Sequence, residues 1–110
     1  MAILNTALTS TAQSIFPSTG NNAITTMIFC NTSAFVPSTP ASNTSLLYVY
    51  AVPSGGTAGP GNIIVNGLPI PAGETVSFDQ EKIVLANGDF IAAKTDSASN
   101  ITATVSTLAV

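Results

Sequence analysis

Charge is what this chain has least of. It holds five acids and two lysines in 110 residues, so 6% of it is charged, where an ordinary soluble domain carries about 25%. Glu74, Asp79, Glu81, Lys82, Asp89, Lys94 and Asp96 are all the charges there are, and residues 1–73 have none. Two basic side chains and a net charge of -3 exclude nucleic-acid binding, which depends on Lys and Arg at the phosphates. Histidine and tryptophan are also missing. Without an imidazole, no serine or threonine has the base that would activate it, and Asp79 with Glu81, beside Lys82, reads as a solvated bend rather than an acid–base pair. The chain is therefore read as a non-enzyme with no small-molecule substrate.

Cysteine occurs once, as Cys30, which excludes an intrachain disulfide and a cysteine-based metal site. Its place in Met27-Ile28-Phe29-Cys30 predicts a buried structural thiol. Asp79, Glu81, Asp89 and Asp96 fit no EF-hand spacing, so no metal is expected. The glycine-rich loop Gly55-Gly56-Thr57-Ala58-Gly59-Pro60-Gly61 has no lysine and helix after it and is no phosphate cradle; no cofactor is expected. No run of about 18 apolar residues exists to span a membrane. The start, MAILNTALTS, lacks the basic opening and long apolar run of a secretion signal, so synthesis in a cytoplasm is expected.

What the chain does have is strand alternation punctuated by turns. Leu47, Val49 and Ala51 alternate with Tyr48, Tyr50 and Val52; Val76 and Phe78 alternate with Thr75 and Ser77; Ile101, Ala103 and Val105 alternate with Thr102, Thr104 and Ser106. Ile24 with Met27-Ile28-Phe29-Cys30 is apolar on both faces, as in a central strand covered twice. Pro71-Ala72-Gly73 predicts a type I turn with a left-handed glycine, and Asn87-Gly88 predicts a hairpin. No helical period occurs. About eight short strands with turns every 8 to 12 residues predict an all-β fold, a two-sheet antiparallel sandwich of immunoglobulin-like or jelly-roll-like kind. Residues 22–110 form the sandwich domain, and residues 1–21 read as an N-terminal arm or an edge strand.

Cys30-Asn31-Thr32-Ser33, Val49-Tyr50-Ala51-Val52-Pro53-Ser54-Gly55-Gly56, Pro71-Ala72-Gly73-Glu74-Thr75, Ile83-Val84-Leu85-Ala86-Asn87-Gly88-Asp89 and Ile91-Ala92-Ala93-Lys94 follow one another in an order that resembles small β-sandwich virion proteins of tailed bacteriophages, including cyanophages. The likeness covers residues 22–107. It implies a structural role in the virion: a capsid decoration or cement protein on the head surface, with the major capsid protein and copies of itself as partners, made in the host bacterial cytoplasm. Phe90 and Ala92 stand where the resembling proteins often carry polar or charged residues.

The neutrality of the first 73 residues fits such a partner, because free monomers rely on charge to keep sheet edges apart. Tyr48, Tyr50 and Phe90 are the expected partner-contact residues, tyrosine covering large area at low entropic cost. Two other readings stay open. The same sandwich suits a tail, neck or baseplate component, and Tyr48 and Tyr50 offer an aromatic platform for a host-glycan-binding module.

Overall fold

The computed structural model describes residues 2–80, 83–96 and 100–110. Nine strands follow in order: β1 (Ala2–Ala7), β2 (Gln13–Pro17), β3 (Asn22–Asn31), β4 (Ser45–Val52), β5 (Ile63–Ile70), β6 (Thr75–Phe78), β7 (Ile83–Leu85), β8 (Phe90–Thr95) and β9 (Ile101–Ala109). The first sheet runs β1-β9-β3-β6, with β7 also paired to β3; the second runs β2-β8-β4-β5. Every pairing is antiparallel. The molecule is an all-β, two-sheet sandwich.

Alternation decides which side chains meet between the sheets. Ile24, Met27 and Phe29 of β3 and Ile101, Ala103 and Val105 of β9 are buried against Leu47, Val49, Ile91 and Ala93 of the second sheet. Phe29 meets Phe78 of β6 edge to face, ring centroids 5.9 Å apart at 71°, the geometry that the ring quadrupoles favour.

Residues 2–21 are built into the sandwich. β1 gives one sheet an edge strand and β2 does the same for the other, while Leu8, Ile15 and Phe16 are buried in the common cluster. The accessible surface is 5671 Å², close to the about 5,650 Å² of a compact monomer of this mass. β1 and β2 are strands of the sandwich itself.

Three local expectations are corrected. The Asn87-Gly88 turn is no hairpin: it carries the chain from β7 in one sheet to β8 in the other. A hairpin turn of type I′ needs positive φ at both central residues, but here Gly88 has φ +91 and Asn87 does not have positive φ. The turn closes from Asp89 N–H to Ala86 C=O at 3.1 Å and is braced by Asp89, whose carboxylate accepts from the N–H of Ala86 and of Ser54, each at 2.9 Å. Pro71-Ala72-Gly73 likewise joins the two sheets. Its turn closes from Glu74 N–H to Pro71 C=O, placing Gly73, φ +78, at the third position as type II requires. Finally, Cys30 is not a core thiol. It is a half-buried free cysteine that points away from the second sheet, because Phe29 before it and Asn31 after it take the inward positions. β3 is central in its sheet, but this chain covers one of its faces.

Candidate functional site

Tyr48, Tyr50 and Phe90 lie on one face of the second sheet, the face away from the core. Directly opposed antiparallel residues share a face, and Tyr48 opposes Lys94, Tyr50 opposes Ala92 and Val52 opposes Phe90. The β4–β5 connection folds back over this face. Asn62 shapes it, accepting from Gly59 N–H at 3.0 Å and donating to Thr57 C=O at 2.8 Å. Beneath the connection a small second core forms from Tyr50, Val52 and Ala92, with Ala12, Ala58, Ile63, Tyr48 and Phe90 packed against it. Tyr50 is consequently 6% exposed, while Tyr48 and Phe90 are half-buried. The Lys94 ammonium sits 5.0 Å from the centroid of the Tyr48 ring, a cation–π contact between two half-buried side chains. Gly67, with φ +76, lies against the same ring, where an added Cβ would stand 3.6 Å from Cε2.

An open groove of about 520 Å³ runs over these residues, lined among others by Ser10, Tyr48, Tyr50, Asn66 and Lys94. A smaller cleft of about 370 Å³ lies between the sheets at the other flank, lined by Met27, Ile64, Val65, Phe78 and Ile83. The cleft is apolar throughout and the groove mixes hydroxyls, an amide and one ammonium. Among the described residues no three His, Cys, Asp or Glu side chains converge on a point that could hold a metal ion. Asp79 lies just past β6 and Asp96 just past β8; Glu81 falls outside the described residues.

The outer face of the first sheet has a different character. Its middle row reads Asn5, Thr104, Ile28 and Ser77, set by Asn5 opposing Thr104, Thr104 opposing Ile28 and Ile28 opposing Ser77. The next row reads Ala7, Thr102, Cys30 and Thr75. Among the described residues no strand side chain on this face is charged, and Ile3, Val84 and Leu108 stand exposed at 66%, 67% and 42%. The Thr-Ala-Thr-Val-Ser alternation of β9 places hydroxyls outward, and Thr104 Oγ1 donates to Asn5 Oδ1 at 2.9 Å. The sequence marked no residue of this face as a partner contact. Its signal was the missing charge together with the double apolarity of β3, whose second apolar side, Ile28 and Cys30, opens here. Comparison of the chain with protein-family models, with curated proteins and with solved structures finds no match.

Proposed function

We propose that this chain is a structural subunit of a tailed-bacteriophage virion, a decoration or cement protein that binds the major capsid protein and copies of itself on the head surface. The observation that carries the reading is the outer face of the first sheet: extended, with Ile28 and Cys30 at its centre, and among the described residues without a charged strand side chain or a layer of this chain over it. Such a face loses little when it is dried, since uncharged hydroxyls cost far less to desolvate than ions. Its apolar part gains roughly 25 cal/mol per Å² buried, and many copies on one shell add these modest contacts together. β1 and β2 take part as edge strands of the subunit. The groove over Tyr48 and Tyr50 and the apolar strip at Phe90 are a second contact surface.

A tail, neck or baseplate position for the same subunit is the second reading, and the neutral face supports it equally. The glycan-binding reading has less support, because the Tyr50 ring lies under the β4–β5 connection and the Tyr48 ring already carries the Lys94 ammonium. The test is quantitative mass spectrometry of purified virions. Copy numbers on the order of hundreds support the head position, and roughly six or twelve, the order of an axial ring, support the tail. Absence of the protein from particles rejects both, as does full occupancy by a Thr104→Lys variant, which plants a charge in the middle of the face.

A further inference from the structure

Among the described residues four flanks of the sandwich end in unpaired strand edges: β1 and the β6/β7 side of the first sheet, β2 and β5 of the second. Proteins guard such edges with proline, bulges, charge or shortness. β2 is five residues long, shifts register between Ser14 and Phe16, and ends at Pro17. β5 shifts register twice against β4, carries Gly67 at φ +76, and contains Pro69. β6 and β7 are four and three residues long, with Asp79 beside them. β1 has no such device. Its six residues pair with β9 without a register shift and include no proline, glycine or charge.

The hydrogen-bond phase of β1 follows from its continuation. Leu8 N–H donates to Ile101 C=O at 2.8 Å. Antiparallel pairs alternate, so the main-chain groups of Leu4 and Thr6 face β9, and those of Ile3, Asn5 and Ala7 face away from the sheet. Gln13 Nε2 donates to Ala7 C=O at 3.1 Å. Ile3 and Asn5 are left with both N–H and C=O aimed outward.

We propose that β1 pairs antiparallel with β1 of a second copy, about a two-fold axis beside Leu4, with Ile3 opposite Asn5 of that copy. This register uses both outward sets in full: each Ile3 and each Asn5 donates and accepts once, closing four N–H···O bonds. The register centred on Asn5 would need the Ala7 carbonyl that Gln13 already occupies. In the chosen register Leu4, 37% exposed at the open side of the core, opposes Leu4 of the second copy in the closer, non-hydrogen-bonded kind of pair. Neither strand brings a charge to the contact, and the uncharged outer face of one subunit continues into that of the next. The dimer deepens the self-association included in the proposed function and rests on it.

Sedimentation equilibrium of the purified full chain is the test. The expected result is a monomer–dimer equilibrium whose dissociation constant rises at least about tenfold, a step of about 1.4 kcal/mol, with Ile3→Lys and with Ile3→Pro. Proline removes an N–H that β9 does not use, so the urea midpoint of the monomer stays close to wild type. In a Cys30→Ser background, Leu4→Cys crosslinks the dimer on oxidation, because this pair sits within disulfide reach, while Thr6→Cys, which opposes Ala2 of the second copy, does not. A monomer at every concentration overturns the proposal, and so does crosslinking through Thr6→Cys as efficient as through Leu4→Cys. The measurement uses no particles, so a failed dimer leaves virion incorporation standing, and absence from virions leaves the dimer standing.

Discussion

The side-chain amide of Asn31 donates to the main-chain carbonyl of Ile70 at 2.8 Å, tying the end of β3 in one sheet to the end of β5 in the other. The same amide donates to Asn43 C=O at 2.9 Å, and its oxygen accepts from Ser33 N–H at 2.9 Å. Asn31 is fully buried. Asn31→Ala strands the buried Ile70 carbonyl, at about 1–3 kcal/mol where water cannot reach it, and gives up two part-buried bonds, each worth about 0.5–1.5 kcal/mol. The expected loss is about 3 kcal/mol or more in urea unfolding.

Ser45 presents the opposite case. Its hydroxyl is buried, and among the described residues it is the buried side-chain polar atom that finds no partner. Ser45→Ala removes that unmet group with almost no change of volume. The expected outcome is stability equal to wild type or higher by up to about 1 kcal/mol, read as an unchanged or higher urea midpoint.

Deletion of residues 1–21 is expected to abolish cooperative unfolding. It removes an edge strand from each sheet and takes Leu8, Ile15 and Phe16 out of the core. At about 1.5–3 kcal/mol for each buried side chain, the loss approaches the whole stability of a domain, about 5–15 kcal/mol. Circular dichroism and denaturant titration of the truncated chain check this.

Gly88 is held by conformation and by space. Its φ is +91, and a Cβ there would collide with Ser54 Oγ. Gly88→Ala is expected to cost about 1–3 kcal/mol from the positive φ and the clash together. Pairing it with Ser54→Gly relieves the clash and leaves the backbone part, so the double variant should recover a portion of the loss relative to the sum of the singles. A double-mutant cycle by thermal unfolding measures that portion.

The face of a side chain was legible wherever strict alternation ran. Leu47, Val49 and Ala51 against Tyr48, Tyr50 and Val52, and Ile101, Ala103 and Val105 against Thr102, Thr104 and Ser106, fall inward and outward as their order dictates, because a strand turns its side chains by half a turn at each residue. The two-sheet class followed from the same alternation. Turn chemistry was legible as position but not as destination. Asn87-Gly88 does mark a reversal, yet whether the next strand returns beside β7 or crosses to the other sheet depends on the φ of Asn87, which the surrounding packing selects. The same holds for Cys30: a run of apolar residues says that two faces are apolar and not which of them the rest of the chain covers.

By itself, then, the order of residues determined the all-β class, the inward and outward sets of the strictly alternating strands, and a surface almost without charge, since each of these is a property of neighbours a few positions apart. Only the tertiary structure decided that the first 21 residues close the core, that Tyr50 lies beneath its own loop, and that β1 is left as the unguarded edge. Those outcomes depend on which distant strands pair, and pairing is settled by the burial of the whole core at once rather than by any local stretch.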